Sequence, residues 1–251
     1  MSGSVTFQKI PENELTEDMV KQTADLFSSA YGVWGAHAQE KVGKFCNEEN
    51  MGRRVKMSPN ILREQSLPKE GRNVLVRALV GEELVGHAFA TRWKYEEYQV
   101  CWVTQLCVKP DHRRCGMATH MLLKLKEGEQ DRAFGILSSH PAAIMAALRA
   151  FGNGLENMNF DMARTHAHAI MTCSPVNYVK AATLKADFFG NDIQDGNVWC
   201  AFTNFWVDHK EPLGVLKNLN ENGIHWPLGE LPDGCEYLVI VEGTTGQDHG
   251  D

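Results

Sequence analysis

The sequence has no CxxC pair, no excess of basic residues and no apolar run near the roughly 20 residues of a membrane span. Each absence removes a class of function. Without CxxC spacing, a zinc ribbon or a dithiol redox pair has no ligand set. The seven cysteines, Cys46, Cys101, Cys107, Cys115, Cys173, Cys200 and Cys235, are odd in number and scattered, as suits free thiols in a reducing compartment. Met1 to Leu15 lacks a basic segment followed by an apolar core, so no signal peptide is expected. The expected location is cytoplasmic or nuclear. Twenty-five basic residues against thirty-two acidic ones leave a net charge of −7. Nucleic acid, which calls for a basic surface, is therefore not an expected partner, and neither is a membrane. Repeats and low-complexity stretches are also missing.

What is present has the balance of an ordinary globular protein: 251 residues, 43% hydrophobic and 23% charged. The length suits one domain over 1–251. Thr16 caps an expected helix with Val20, Ala24, Phe27 and Tyr31 at helical spacing. Ser58-Pro59 starts another. The period then drops to two. Asn73 to Val80, Leu84 to Arg92 and Tyr98 to Val108 read as strands whose short connections make an antiparallel meander. A helix follows on Ala118, Met121, Leu122 and Leu125, then a strand over Phe134 to Ser138. His140-Pro141 opens a helix striped by Ile144, Ala147, Leu148 and Phe151. A stretch over 153–196 is longer than a usual connection and is expected to hold helices, one of them from Ser174-Pro175 to about Ala186. Asn197 to Val207 reads as an interior strand, Pro212 to Asn222 as a helix and Tyr237 to Val241 as the last strand. Residues 243–251, rich in Gly and Asp, are expected to be a disordered tail. The fold class is α/β, an α+β arrangement of helices on a mixed sheet.

The chemistry concentrates in the segment from Gln105 to Leu125, a strand, a turn and an amphipathic helix. Backbone N–H groups at a helix start are unpaired and sit at the positive end of its dipole, which suits a phosphate. Gly116 lets the backbone approach a ligand closely. Lys109, His112, Arg113 and Arg114 reverse the sign of an otherwise acidic chain, as a pyrophosphate would require.

Arg113-x-x-Gly116-x-Ala118, after the strand ending Leu106-Cys107-Val108, resembles the acyl-CoA-binding motif of the GNAT superfamily of acetyl-CoA-dependent N-acetyltransferases. His140-Pro-Ala-Ala143 followed by Leu148-x-x-x-Gly152 resembles that family's second motif. The resemblance spans roughly residues 5–152 and implies a GNAT-like acyltransferase fold carrying a helical insertion. It also implies the division of labour. The backbone of Leu106, Cys107 and Val108 would pair with the pantetheine arm as a strand does. The amides of Arg114, Cys115, Gly116, Met117, Ala118 and Thr119 would hold the pyrophosphate, with Arg113 adding charge. Val108 N–H or a neighbour would stabilise the oxyanion as an amine attacks the thioester directly. Acetyl-CoA is the implied co-substrate, and Cys107 and Cys115 need not be nucleophiles.

The chain departs from the family pattern at the proton-transfer residues. Leu148 stands where the family usually has a tyrosine. Strict alternation along the third strand puts Trp102 and Thr104 on the face of Leu106 and Val108, where several family members carry a glutamate, and neither residue is acidic. The candidates are Glu97, beside Glu96 at the start of that strand, His140 and Tyr178. His140 has two readings, a titrating group near neutrality or a helix-start residue bonded to backbone. Tyr178 is a proton donor or a packing residue. His166 and His168 face apart on a helix with no acidic or Cys partner near, so no metal is expected. The segment 153–196, with Trp34 to Asn60, is expected to roof an acceptor pocket. The leading expectation is an acetyltransferase acting on a small-molecule primary amine. A non-catalytic acyl-CoA sensor, a hydroxyl acceptor and a longer acyl group stay open, as does the oligomeric state.

Overall fold

The alternating run between residues 72 and 108 folds as the expected meander of β2 (Arg72–Val80), β3 (Glu83–Tyr95) and β4 (Tyr98–Val108). The computed structural model describes residues 4–43, 46, 49, 52–185 and 198–243; most of the expected tail, 244–251, lies outside them. A strand not expected from the sequence, β1 (Val5–Pro11), pairs antiparallel with β2. Its two faces each mix polar with apolar residues, as befits a partly exposed edge strand, so alternation does not mark it. After α4 (Met117–Lys126), β5 (Ala133–Ser138) returns parallel to β4. β6 (Thr183–Leu184), β7 (Cys200–Phe202) and β8 (Cys235–Glu242) complete one mixed sheet in the order β1-β2-β3-β4-β5-β8-β7-β6.

Helices cover both faces. On one face α4 packs on β1, β2 and β3, and α5 (Pro141–Phe151) packs on β5 and β8. The other face carries α1 (Glu17–Ala30) and α3 (Pro59–Ser66), with α6 (Asp161–Thr172) and α7 (Asn177–Ala181) continuing that layer toward β8. Both expected N-caps form: Thr16 Oγ1 accepts from Met19 N at 3.2 Å, and Ser58 Oγ accepts from Ile61 N at 3.2 Å. The short α2 (Ala38–Val42) lies in the segment linking α1 to α3, and α8 (Lys210–Glu221) follows β7.

Two expected elements shorten. The strand over Asn197 to Val207 is reduced to β7, because Asn204 adopts φ +61° and breaks the extended chain. The helix after Pro175 starts only at Asn177, since Ser174 Oγ accepts from Val176 N in a local turn, and it ends at Ala181 as the chain enters β6. Of the segment 153–196, residues 186–197 lie outside the described residues, and the part before them contributes to the core. Ala163, Ala167, Ile170, Met171 and Val179 are buried in the main core. Cover on the α1 face comes from 32–43, 52–57 and 203–209, joined where Trp34 bridges Val207 and Gly35 N donates to Trp206 O at 2.9 Å.

The sheet parts in its middle. β4 pairs with β5 only from Val100 to Val103. Beyond that point β4 keeps β3 while β5 keeps β8, so the edge of β4 from Thr104 to Val108 has no strand partner on the β5 side. The cause is a bulge. Phe89 lies opposite Gln105 and Ala90 opposite Val103, leaving Thr104 as the extra residue. An extra residue bends its strand and sharpens its twist. It also reverses the face parity, which corrects the reading by strict alternation. Trp102 and Thr104 share a face with Gln105 and Cys107, the α1 side, and Leu106 and Val108 point to the α4 side.

Candidate active site

At the end of the free β4 edge the chain makes a 3-10 turn over Pro110–His112 and then enters α4. Arg114 and Gly116 both adopt left-handed backbone, φ +63° and φ +79°. Those two conformations turn consecutive amides inward as a concave nest. The first N–H to return to helical bonding is that of His120, onto Gly116 O at 3.0 Å. Among the described residues nothing accepts the N–H groups from Arg114 to Thr119. A side chain at Gly116 would be strained by its φ, and its Cβ would lie 3.3 Å from the His120 ring. A diphosphate fits such a cradle in charge and in shape.

The basic residues of the turn divide their work. Lys109 pairs with Glu83. Arg113 is committed inward rather than toward a ligand: Nε donates to Val108 O at 3.1 Å, Nη2 to Ala30 O at 2.5 Å and Nη1 to Glu211 of α8 at 2.5 Å. This strap ties the ends of β4, α1 and α8 together. The exposed Arg114, whose backbone is part of the cradle, has no ion pair among the described residues.

Inside the split, four titratable side chains converge from four elements. Tyr31 follows α1, Cys107 lies on β4, Tyr178 on α7 and Glu236 on β8. The Tyr178 hydroxyl donates to Thr104 O, the carbonyl of the bulge, at 3.1 Å. Beside it lies the buried indole N–H of Trp102, which has no acceptor among the described residues. Glu236 is 6% exposed. It sits one residue before the Ser138–Tyr237 pair, where β5 ends. Burial pushes its carboxyl up to about 7; Thr203 pulls the other way, although its hydroxyl makes no well-formed hydrogen bond. Burial, and next the Glu236 charge, raise both tyrosines well above their ordinary value. Cys107 is pushed up to about 12 by burial, so its thiol stays protonated at neutral pH.

Of the residues singled out from sequence, Leu106 to Val108 form the free edge and Arg114 to Thr119 the cradle, and Tyr178 lies in the split. His140 stands at the end of β5 and caps α5: its Nδ1 accepts from Ala142 N at 3.2 Å, and its Nε2 lies 3.6 Å from Glu211. One imidazole nitrogen is thus spent on backbone. Glu97 is exposed in the β3–β4 turn, at the opposite end of β4 from the split, and is not brought to the site. Leu148 is buried in α5. His166 Nδ1 bonds Tyr95 Oη at 3.1 Å, and no group of three or more metal-ligating side chains occurs among the described residues. Nor is any described helix long and apolar enough to cross a membrane. Glu236 was not found from sequence. Its one signal is a lone charge in the otherwise apolar run Cys235-Glu-Tyr-Leu-Val-Ile-Val241.

Residues 42–147 match the profile of the acetyltransferase (GNAT) family. No curated protein matches the chain in sequence. Solved structures with a similar fold include an aminoglycoside acetyltransferase from an uncultured soil metagenomic sample in complex with sisomicin. It is 14% identical, with 49% of this chain and 68% of that one covered and a TM-score of 0.31. A second is the PaiA N-acetyltransferase of Thermoplasma acidophilum in complex with coenzyme A, 14% identical over 56% of this chain and 83% of that one, TM-score 0.37. A third is a GNAT-family acetyltransferase of Streptococcus pneumoniae, 10% identical over 58% and 83%, TM-score 0.37.

Proposed function

Residues 42–147 match the model of the acetyltransferase (GNAT) family, and on that footing we propose that this chain is an acetyltransferase that moves an acetyl group from acetyl-CoA to the primary amine of a small molecule by direct attack. The observation that carries this reading is the cradle at the end of a free strand edge: unpaired amides from Arg114 to Thr119, opened by left-handed Arg114 and Gly116. Those amides and the Arg114 guanidinium bind the diphosphate. The edge from Thr104 to Val108 takes the pantetheine arm in the place of a missing strand. The thioester then lies in the split, where Val108 N–H or a neighbouring amide polarises its carbonyl. Tyr178 presents a hydroxyl to the leaving sulfur, and the Trp102 N–H beside it is placed to stabilise the phenolate that proton donation would leave. Cys107 is held as the neutral thiol, which favours direct transfer over an acyl-enzyme.

Titration calorimetry with acetyl-CoA, followed by a free-thiol release assay over a panel of amines, tests the reading. Binding together with amine-dependent thiol release is expected. No acetyl-CoA binding at millimolar concentration would sink the proposal, and binding without release with any amine would reduce the protein to an acyl-CoA-binding module.

A further inference from the structure

Glu236 is an anomaly as a structural residue. A carboxylate this deeply buried is normally paired, because an isolated buried charge is costly. Among the described residues, no cation contributes to its electrostatics, and the one polar side chain that approaches its carboxylate is the Thr203 hydroxyl. The groups near it from each packed element are Tyr31 after α1, Tyr178 on α7 and Thr203 after β7, while Cys235, next to it in β8, points to the opposite face of the sheet. Cys107 lies behind Tyr31. None is a cation.

We infer that Glu236 is the docking anion for the acceptor: it binds the ammonium group of a singly charged primary amine and takes the proton that frees the nitrogen to attack. The inference rests on the acetyl-transfer reading and names its substrate class. One carboxyl amid phenols, a thiol and a hydroxyl supplies one counter-charge. A second ammonium in the split would meet no anion, so polyamines and aminoglycosides are poor acceptors. The Glu236 neighbours Tyr31 and Tyr178 are aromatic, and the Tyr31 ring is backed by Phe27 at 4.2 Å and Phe205 at 6.1 Å between ring centroids. The body of the amine is therefore apolar.

The protons balance. An ammonium carries three N–H bonds and the amide product keeps one. Glu236 takes the first proton before attack. As the C–N bond forms and the C–S bond breaks, Tyr178 gives its proton to the sulfur and recovers one from the tetrahedral nitrogen. Glu236 then returns its proton to solvent. While neutral, Glu236 no longer holds up the Tyr178 pKa through its charge, so the first transfer eases the second.

The test uses the full chain with coenzyme A bound, 2-phenylethylamine and spermidine as probes, and Glu236→Gln and Glu236→Asp as variants. Calorimetry should show 2-phenylethylamine binding that weakens at least about 10-fold in Glu236→Gln, the loss of one charge-assisted contact. With acetyl-CoA, kcat/KM for 2-phenylethylamine should fall about 100-fold or more in Glu236→Gln at neutral pH. The wild-type rate should rise with pH through about 7; that limb should vanish in Glu236→Gln and return in part in Glu236→Asp. Coenzyme A affinity should stay unchanged, and thermal unfolding of Glu236→Gln should be no lower than wild type, which separates docking from a structural role. Equal amine binding by wild type and Glu236→Gln, no amine binding at all, or preferred use of spermidine would overturn the inference. Amine binding that depends on Glu236 without thiol release would uphold it while the transfer reading fails.

Discussion

Gly116 combines two demands that no other residue meets together, a left-handed φ of +79° and an open approach to the amides around it. Gly116→Val should weaken coenzyme A binding by about 1–3 kcal/mol through bulk and strain, read by calorimetry, while adenosine, which lacks the diphosphate, binds neither form better. Tyr178→Phe removes the hydroxyl from the split. Its kcat should fall by about two orders of magnitude with coenzyme A affinity intact; an unchanged kcat would confine Tyr178 to packing. His87 makes a third case. It is fully buried, bonded to Gln105 at 2.7 Å, and burial lowers its pKa to about 4. The unfolded chain takes up this proton near pH 6.5 and the folded chain only near 4, so stability is full above about 6.5 and declines as pH falls toward 4, by about 3 kcal/mol at most. Urea midpoints between pH 7 and 4.5 should drop more steeply for wild type than for His87→Asn. The cradle residues were legible in the sequence because they are contiguous and their spacing has one physical use. Tyr178 was legible only as a titratable side chain, and Glu236 only as a lone charge in an apolar run, since only folding brings residue 236 near residue 31.

α4 presents the cradle at its start, and it is pinned at its other end. Leu125 O accepts from Lys9 Nζ at 3.1 Å and from Arg92 Nη2 at 2.7 Å, and Glu127 O accepts from Lys9 Nζ at 2.7 Å. Arg92 is 1% exposed and is neutralised by Asp131, whose carboxylate oxygens lie 3.0 and 2.9 Å from Nε. Asp131→Ala would leave the buried guanidinium only the longer 3.8 Å ion pair with Glu129 and should cost about 3 kcal/mol in urea unfolding, a loss too large for a surface contact to mimic. At this scale periodicity served well where an element has one clean face, as in α4, α5 and the meander. It failed for β1, whose edge position leaves both faces mixed. It could not see the bulge at Thr104 either, because an extra residue leaves no mark on composition while it reverses the face of every residue before it.

In the whole molecule, the described stretch after α5 contributes to the main core. α6 and α7 bury apolar side chains against β8 and its neighbours and hand Tyr178 to the split, so a chain lacking 153–185 should lose cooperative unfolding altogether rather than acceptor use alone, a result that circular dichroism melts would read directly. The mixed sheet and its helical layers could be inferred from the alternation of periods, but strand order could not, because β8 pairs β5 and β7 across long connections that no local pattern encodes. That order has a consequence for how the protein is made. β8 is the described strand latest in sequence, yet it is an interior one, with β5 on one side and β7 on the other. A ribosome must have made residues 235–242 before two earlier strands find their neighbour. Until then each shows a raw edge. Premature termination upstream of residue 235 would leave a fragment with those two edges open to aggregation.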